Sequence, residues 1–233
     1  MYEHSSDLYD KIYRSFKDYS AEAELVKGVI RQLAPTAKTI LDVACGTGEH
    51  ASFLKQDFTI DGLDINPAFV EISRTKNPEC RFYVADMVDF DLGCRYDVVM
   101  CLFSSIGYVK TLQKLSRTLA AFKRHTESDG LIVVEPWFTP DVWCVGRPAM
   151  VTVDLPELKV CRMNIAEREG ALSKFTFHYL VGDSFGVRHF TEMHELGLFT
   201  VEEMLACFRE VGLAATYDEK GIFGRGLYTA RLA

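Results

Sequence analysis

The sequence lacks the features that mark membrane, secreted and repeat proteins. No apolar run approaches the roughly 18 residues of a membrane-spanning helix. Residues 1–11 carry acids early and hold no apolar block, unlike a secretory signal. No internal repeat and no linker rich in Pro, Gly or Ser divides the chain. We therefore expect one domain over residues 1–233, located in the cytoplasm and without a membrane partner.

An excess of positive charge is also missing. The chain carries 26 Lys and Arg against 33 Asp and Glu, which gives a net charge of −7. An acidic chain is a poor partner for a phosphate backbone, so we expect no nucleic-acid partner. The seven cysteines are scattered without paired metal-site spacing, which predicts buried free thiols and no disulfides. We expect no metal ion and only surface or core roles for the scattered His50, His125, His189 and His194.

The hydrophobic pattern changes near residue 150. Before that point, apolar runs typical of strands alternate with stretches of helical spacing. We predict strands over 39–43, 58–63, 81–84, 96–102 and 130–134, and helices over 21–33, 67–75 and 111–124. Such alternation predicts an α/β fold whose parallel sheet is covered on both faces.

Residues 150–199 show a mostly strand-like pattern instead. We predict strands over 158–166, 172–181 and 187–198, separated by turn residues at Glu169-Gly170 and Gly182-Asp183. This segment is an expected antiparallel insertion. Thr200 and Glu203 then form a capping box for a helix to about residue 211, and two strands near 214–217 and 227–231 complete the main sheet.

A strand that runs into a glycine turn gives the sharpest chemical signal. Residues 41–49 read Leu-Asp-Val-Ala-Cys-Gly-Thr-Gly-Glu. Gly46 and Gly48 allow the backbone to approach a ligand closely, although alone they also fit an ordinary strand-to-helix turn. Asp64 follows the second strand, where a carboxylate can accept hydrogen bonds from both hydroxyls of an adenosine ribose. The combination indicates a nucleoside cofactor.

The acidic residues favour one nucleoside cofactor over another. The glycine spacing also fits a looser dinucleotide motif, so an oxidoreductase that uses a nicotinamide cofactor remains an alternative. A pyrophosphate, however, requires amide donors without a nearby anion, whereas Asp42 suits a cofactor with cationic amine and sulfonium groups. Asp86 can accept a hydrogen bond from an adenine amino group, and Met87 can pack on the ring. These residues favour S-adenosylmethionine.

Stretches from one end of the chain to the other resemble the class I adenosylmethionine-dependent methyltransferases. Within that class they are most similar to the N,N-dimethyltransferases that act on TDP-linked 3-amino-3,6-dideoxyhexoses in macrolide sugar biosynthesis. The matching stretches are Leu8-Tyr9-Asp10, Lys17-Asp18-Tyr19, the glycine loop, Asp86-Met87 with Asp89-Phe90, Phe103-Ser104-Ser105-Ile106-Gly107-Tyr108, Val133-Val134-Glu135-Pro136-Trp137 and Gly224-Arg225-Gly226-Leu227. The glycine loop is generic for the class, whereas the Phe-Ser-Ser-Ile-Gly and Glu-Pro-Trp stretches are more particular.

The resemblance implies a Rossmann-like doubly wound fold. Its mostly parallel seven-stranded sheet would carry an antiparallel β insertion over the active site, all within one methyltransferase domain over 1–233. Residues 150–199 would then cover the substrate. It further implies a homodimer and a small-molecule partner, a TDP-linked aminosugar.

The resemblance and the glycine loop together assign the candidate residues. The predicted cofactor-binding residues are Tyr9, Tyr19, Asp42, Ala44, Cys45, Gly46, Gly48, Asp64, Ile65, Asp86, Met87 and Phe103. Beside the acceptor amine we expect Tyr108 and Tyr2. The predicted substrate-binding residues are Ser105, Trp137, Arg162, His178 and Arg225, the two arginines being those that hold a pyrophosphate. Because an unperturbed tyrosine has a pKa near 10, Tyr108 is expected to orient the amine rather than act as a base.

The sequence departs from the family pattern at two places, and the one before Arg225 leaves the acceptor open, whereas the shorter Asp64 can still bind a ribose. Residues 219–223 replace the Gly-Gly-Pro-Ser run that such enzymes tend to carry, and Asp64 stands where a glutamate is common. An N- or O-methyltransferase of another small molecule, with no nucleotide on its acceptor, is therefore an alternative. A third alternative is a protein that binds the cofactor without catalysis.

Overall fold

Strands and helices alternate from β1 to β5 in the structure, except that β3 leads directly to β4; the structure is a computed structural model that describes residues 5–222 and 224–233. The strands are β1 (Thr39–Val43), β2 (Thr59–Asp64), β3 (Arg81–Val84), β4 (Tyr96–Cys101) and β5 (Thr126–Val134). The helices are α1 (Tyr9–Arg14), α2 (Tyr19–Leu33), α3 (Glu49–Leu54), α4 (Pro67–Lys76) and α5 (Leu112–Arg124), with a short 3-10 helix at Ser105–Val109. The predicted alternation of strands and helices is present, whereas helix α1 was not predicted.

The second half of the chain is mostly strand. The strands are β6 (Pro148–Leu155), β7 (Leu158–Ile165), β8 (Glu167–Glu169), β9 (Leu172–Asp183), β10 (Gly186–Gly197), β11 (Leu213–Asp218) and β12 (Leu227–Leu232). Helix α6 (Val201–Glu210) separates β10 from β11. The predicted capping box opens it, because Thr200 accepts from the Glu203 amide and Glu203 accepts from the Thr200 amide. No helix in the described parts of the chain is long and apolar enough to cross a membrane.

Within the described residues, seven strands form the main sheet, here called sheet A. Their order is β11-β12-β5-β4-β1-β2-β3. Strands β1 to β5 are parallel, and β12 runs antiparallel to both of its neighbours. The strand order reverses between β1 and β4, and in such sheets ligands bind beside the carboxyl ends of the strands at the reversal. The mostly parallel sheet expected from the sequence is confirmed.

Helices cover both faces of sheet A because its strand residues alternate between two apolar clusters. On β1, Ile40 packs into the cluster that contains α2, α3 and α4, whereas Leu41 and Val43 pack into the cluster that contains α5 and α6. On β4, Val98 and Val99 divide in the same way. This two-sided burial explains why the parallel strands read as continuous apolar runs in the sequence.

A second sheet, here called sheet B, lies between β5 and α6 in the chain. Its strands are antiparallel in the order β10-β9-β7-β6, with β8 paired to β9. Its inner face packs on Leu8 and Ile12 next to and within α1, and partly on Trp137. The antiparallel insertion is therefore present. The strand predictions missed β6, which pairs at the edge and keeps most of its side chains exposed or half-buried.

Candidate active site

A cavity of about 550 Å³ opens at the carboxyl ends of the central strands. Asp64 ends β2, and Ala44, Ala85 and Phe103 lie just beyond β1, β3 and β4. Helix α1 forms one wall and the inner face of sheet B another. The predicted site residues that line it are Tyr9, Ala44, Gly46, Asp64, Ile65, Asp86, Met87, Phe103, Ser105, Tyr108, Trp137, Arg162 and Arg225. The fold thus collects most of the predicted site around one cavity large enough for small-molecule ligands.

A smaller cavity adjoins the first at the glycine loop, whose residues line both. The smaller cavity adds the predicted residues Tyr19, Asp42 and Cys45, which do not line the larger one. Tyr19 is the first residue of α2 and packs edge-on against His50, with ring centroids 5.2 Å apart. Desolvation by this burial raises the pKa of Tyr19, so its hydroxyl stays protonated.

Asp64 holds the glycine loop in place through backbone hydrogen bonds. Its Oδ2 accepts from the Gly46 amide at 2.9 Å, and its Oδ1 accepts from the Asn66 amide at 2.8 Å. Gly46 has φ +56° and Ala44 has φ +59°, so the turn uses left-handed backbone at both positions. Burial raises the pKa of Asp64, whereas these amide donors lower it. The carboxylate is thereby fixed at the edge of the cavity.

Gly48 lies outside the lining of both cavities. It has φ +72° and precedes α3. A Cβ at this position would lie 2.9 Å from Asn77 Nδ2 and 3.1 Å from Ser73 Oγ, both on the α4 side of the loop. Gly48 therefore shapes the turn and allows α4 to pack closely, and it does not face the ligand space.

Asp42, like Glu135, leaves one buried carboxylate oxygen without a hydrogen-bond partner among the described residues. It is buried, and its Oδ2 has no hydrogen-bond partner among the described residues. Burial, with a further contribution from Asp64, raises its pKa to about 7, although His50 acts in the opposite direction. A buried carboxylate without a partner is costly, so this position favours a cationic group in the adjoining cavity.

Aromatic side chains of α1 form the wall next to Asp64. Tyr9 packs on Tyr13 with ring centroids 4.4 Å apart and on Phe69 of α4 at 4.8 Å. All three rings line the larger cavity. Burial and the neighbouring tyrosines raise the pKa of Tyr9 well above its ordinary value, so the wall is uncharged.

Ion pairs connect α1 to the glycine loop and to α4. Asp10 accepts from Thr47 Oγ1 at 2.5 Å and from Lys76 Nζ at 2.7 Å. Arg14 donates to Glu49 at 2.7 Å, and Lys76 pairs with Glu49 as well. Here these four charged side chains and Thr47 are called the α1 latch. It fixes the aromatic wall against the loop.

A second turn with left-handed backbone follows β4. Phe103 has φ +53° and Ser104 has φ +60°. The Phe103 amide donates to Glu135 Oε2 at 2.6 Å, and Ser104 Oγ donates to the Pro136 carbonyl at 2.7 Å. Arg225 Nη1 donates to Ser104 Oγ at 3.1 Å. The Glu-Pro-Trp stretch therefore supports the Phe-Ser-Ser turn, and the turn directs Arg225.

Arg162 enters the cavity from β7 of sheet B. It is buried, and its guanidinium lies 4.2 Å from the ring centroid of Phe177. Its Nη1 donates to the Tyr13 hydroxyl at 3.3 Å. Trp137 lines the same region, where its Nε1 donates to Ser173 Oγ at 2.8 Å. A buried guanidinium in a cavity is well suited to an anionic ligand group.

Tyr108 forms a hydrogen bond that joins the 3-10 helix to sheet B. Its hydroxyl lies 2.8 Å from Nδ1 of His194, on β10 of sheet B. The His194 ring is stacked on Phe175, with centroids 5.5 Å apart and planes at 10°. Tyr108 thus reaches the cavity from the 3-10 helix, and a hydrogen bond to His194 of sheet B holds its hydroxyl.

Comparisons with known proteins agree on one family. A family model for a methyltransferase domain matches residues 40–130. The chain is 38% identical over 227 residues to a dTDP-3-amino-3,6-dideoxy-alpha-D-glucopyranose N,N-dimethyltransferase of Streptomyces fradiae, which covers 96% of this chain and 89% of that protein. It is 35% identical to a dTDP-4-amino-2,3,4,6-tetradeoxy-D-glucose N,N-dimethyltransferase of Saccharopolyspora spinosa, with 96% and 90% covered.

A solved structure gives the same result. The fold matches CalS10 with bound S-adenosylmethionine, an amino pentose methyltransferase from Micromonospora echinaspora, with a TM-score of 0.89 and 33% identity over 97% of both chains. The chain belongs to the aminosugar N,N-dimethyltransferase family. It is a methyltransferase that depends on S-adenosylmethionine.

The acids of this methyltransferase fit that cofactor. The unpartnered Oδ2 of Asp42 suits the positive charge of the cofactor. Asp64 is the acid that would hold the ribose hydroxyls. Asp86 is exposed on the cavity wall, and its Oδ1 already accepts from the Val88 amide at 2.9 Å, which leaves Oδ2 for the adenine. Met87 and the half-exposed Ile65 line the same part of the cavity.

The sequence reasoning missed several residues of the methyltransferase cavity. Tyr13, Phe69, Phe175 and Phe177 line it, whereas Glu135 and His194 lie behind the lining and hydrogen-bond to Phe103 and Tyr108. Tyr13 follows Tyr9 by four positions and so shares its helix face, and Phe175 and Phe177 alternate along a strand, so both patterns were readable. His194 gave no such signal, because its partner Tyr108 is 86 positions away in the chain.

Gly48 and His178 are the predicted site residues within the described part of the chain that line neither cavity. His178 is exposed on the outer face of sheet B, where it stacks on His189 with ring centroids 5.8 Å apart, so in this structure it does not line the cavity. The reason is the two-residue period of β9, which turns Phe177 and Tyr179 inward and His178 outward. Tyr2 lies outside the described residues.

Proposed function

We propose that the methyltransferase transfers methyl groups from S-adenosylmethionine to the amine of a dTDP-linked aminodeoxysugar and adds two of them. One observation carries this proposal, the division of charge along the two adjoining cavities. Asp42, Asp64 and Asp86 lie at the ends of β1, β2 and β3, whereas Arg225 precedes β12 on the other side of the strand reversal. The acidic half suits a cationic cofactor and the basic half suits a diphosphate.

The named relatives support the substrate class and leave the amine position open. The Streptomyces fradiae protein is named for a 3-amino sugar and the Saccharopolyspora spinosa protein for a 4-amino sugar. Both names contain dTDP and N,N-dimethylation, and CalS10 is described as acting in calicheamicin biosynthesis. We therefore assign this enzyme to aminosugar formation for an antibiotic, without choosing the carbon that carries the amine.

Positioning supplies the catalysis in this proposal. S-adenosylmethionine, when bound, supplies a methyl group already activated by its sulfonium. The chain therefore has to hold the amine in line and exclude water, which can contribute on the order of 7 to 11 kcal/mol. Phe175, Phe177 and Trp137 give the acceptor end apolar walls, and Tyr108 orients the amine. The proton lost by the amine is released to water.

The same proposal treats residues 1–233 as one methyltransferase domain in which residues 150–199 cover the substrate. Sheet B supports this because its inner face supplies Arg162, Phe175 and Phe177 to the cavity that sheet A begins. The proposal also places the enzyme in the reducing cytoplasm, where free thiols persist. Of its cysteines, Cys45, Cys101 and Cys207 are buried, whereas Cys94 and Cys144 are exposed, so burial is not general as the sequence predicted.

We further propose that the methyltransferase is a homodimer. The outer face of sheet B carries apolar side chains at least half exposed, at Met150, Met163, Leu180, Val187 and Met193. Pairing across the strands places them on one face, since Met150 pairs with Met163 and Leu180 with Cys161. Apolar patches on a sheet face often mark protein interfaces, and a second copy presents the same surface.

Calorimetry tests the acceptor most directly. S-adenosylhomocysteine is titrated first, then TDP, then a TDP-linked aminosugar, and the product mass shows whether one or two methyl groups are added. The proposal expects binding of all three and a mass increase of two methyl groups. Binding of S-adenosylhomocysteine without binding of TDP would overturn the nucleotide-linked acceptor and move the activity to another small amine or hydroxyl compound.

A further inference from the structure

We propose that His194 is a positioning residue for methyl transfer. It accepts a hydrogen bond from the Tyr108 hydroxyl, which leaves a lone pair of the phenol oxygen directed toward the acceptor amine. The inference rests on the proposed function, because it places an amine beside Tyr108. It assigns a role to a histidine that contacts Tyr108 and is separated from it by 86 positions in the chain.

The geometry of the pair is well defined. The Tyr108 oxygen and His194 Nδ1 are 2.8 Å apart, the distance of an ordinary hydrogen bond. Tyr108 lines the cavity, and His194 is almost completely buried on the inner face of sheet B. The hydrogen bond therefore approaches the phenol oxygen from the covering sheet, and the cavity lies against the tyrosine itself.

The surroundings of His194 favour a neutral ring. Its ring packs on Phe175 and lies 4.9 Å from the ring centroid of Phe177. Burial lowers the pKa of His194 to about 4, and the Arg162 charge acts in the same direction, whereas Glu192 on the same strand acts in the opposite direction. A neutral imidazole has one donor nitrogen and one acceptor nitrogen. With its proton on Nε2, the ring accepts the Tyr108 hydrogen at Nδ1.

The direction of this hydrogen bond matters for the reaction. The amine forms the new N–C bond with its lone pair, while the electrons of the C–S bond move to sulfur. A tyrosine hydroxyl that donated to the amine nitrogen would engage that lone pair and oppose the attack. When His194 accepts the hydroxyl hydrogen instead, the phenol oxygen can accept an N–H of the amine and leave its lone pair directed at the methyl group.

A set of variants separates this role from simple packing. His194→Phe keeps a flat ring against Phe175 and removes the acceptor nitrogen. His194→Asn is the matched control, because its side-chain oxygen can stand near the position of Nδ1 and accept the same hydrogen. Tyr108→Phe removes the hydroxyl, and the double variant Tyr108→Phe with His194→Phe tests whether the two side chains act together.

The measurements are kcat and KM for the TDP-linked aminosugar and the affinity for S-adenosylhomocysteine. We expect Tyr108→Phe and His194→Phe each to lower kcat about tenfold, the effect of one lost hydrogen bond, with the KM and the cofactor-product affinity nearly unchanged. His194→Asn should recover most of kcat, and the double variant should be no slower than the slower single variant. Unchanged kcat in His194→Phe, or losses that multiply in the double variant, would overturn the inference.

A spectroscopic measurement keeps the inference testable where a variant does not fold. In the wild-type protein, the ¹⁵N shifts of the His194 ring show which nitrogen carries the proton at neutral pH. The inference requires the proton on Nε2, and a proton on Nδ1 would overturn it. Wild-type protein that methylates no aminosugar would overturn the proposed function and this inference with it, whereas wild-type turnover with a fully active His194→Phe would overturn this inference alone.

Discussion

The acids beside the glycine loop differ in what their neighbours supply. Asp64 accepts two backbone N–H groups, whereas Asp42 Oδ2 accepts none from the described residues. Burial raises the pKa of both, so the positive charge of a bound cofactor favours the ionised form of each acid. Binding of the cofactor and ionisation of Asp42 are therefore linked.

We predict that the affinity for S-adenosylmethionine falls as the solution becomes more acidic. The Asp42 pKa is about 7 before binding, and a cation in contact lowers it. The ionised form of Asp42 thus favours cofactor binding. When the pH is below the pKa of Asp42 in the unbound protein, Asp42 must release a proton before the cofactor binds. Between about pH 8 and about pH 6 the affinity should weaken on the order of tenfold, measured by calorimetry in buffers of different protonation enthalpy.

One variant and one control test this pH prediction. Asp42→Asn should bind S-adenosylmethionine more weakly and should lose the pH dependence. Asp129→Asn changes an exposed acid in β5 and should behave like the wild-type protein. An affinity that stays constant over this pH range in the wild-type protein would contradict the linkage to Asp42.

Arg225 gives a second prediction at the residue scale. Its guanidinium is directed by Ser104, within about 6 Å of the Phe103, Trp137 and Phe138 ring centroids. Arg225→Lys keeps the charge and loses the planar two-pronged donor geometry that suits a phosphate. We expect KM for the nucleotide sugar to rise about tenfold, with little change in S-adenosylhomocysteine affinity. Arg209→Lys in α6 is the control, and an unchanged KM in Arg225→Lys would exclude the phosphate role.

At the element scale, α1 depends on its contacts. A helix of six residues is too short to be stable alone, so packing and ion pairs must hold it. The α1 latch does this through Asp10 and Arg14, and Tyr9 and Tyr13 provide the apolar contact. Because α1 is one wall of the cofactor space, the latch should affect cofactor affinity more than the chemical step.

We predict that Asp10→Asn weakens S-adenosylhomocysteine binding about fivefold while kcat at saturating substrates stays close to the wild-type value. The substitution removes the charge that faces Lys76 and weakens the contact with Thr47. Asp7→Asn is a matched control on an exposed acid whose partner Arg188 lies 3.9 Å away. High salt should weaken wild-type binding toward that of Asp10→Asn, and equal salt dependence in the two proteins would contradict the latch.

The elements also show how far the sequence could predict the structure. The strands of sheet A were predictable because their burial is continuous and local. Helix α1 was not, since its stability comes from Thr47, Glu49 and Lys76 in distant segments. The outward position of His178 follows from the period of its strand, which was readable in the sequence, whereas the resemblance suggested a place beside the substrate. The Tyr108–His194 contact depends on how sheet B folds over sheet A, which no local pattern contains.

At the scale of the whole molecule, the two sheets contribute different groups to the active site. Sheet A supplies the acids and the glycine loop on one side of its strand reversal, and sheet B supplies Arg162 and the aromatic cover. The net charge of −7 does not oppose an anionic substrate, because the arginines act locally inside a cavity with apolar walls. The inner face of sheet B is thus used by the site, and its outer face is left for other contacts.

We predict that this outer face forms the dimer. Met163→Asp combined with Leu180→Asp places two charges among apolar neighbours on β7 and β9, and burial of these charges against a second copy would be costly. Light scattering coupled to size-exclusion chromatography should give a dimer for the wild-type protein and a monomer for the double variant. Val145→Asp, an exposed apolar position before β6, should remain dimeric. A wild-type monomer at high concentration, or a dimeric double variant, would exclude this interface. Because the substituted side chains face away from the cavity, the monomeric variant should still bind S-adenosylhomocysteine with wild-type affinity, which separates loss of the interface from loss of the fold.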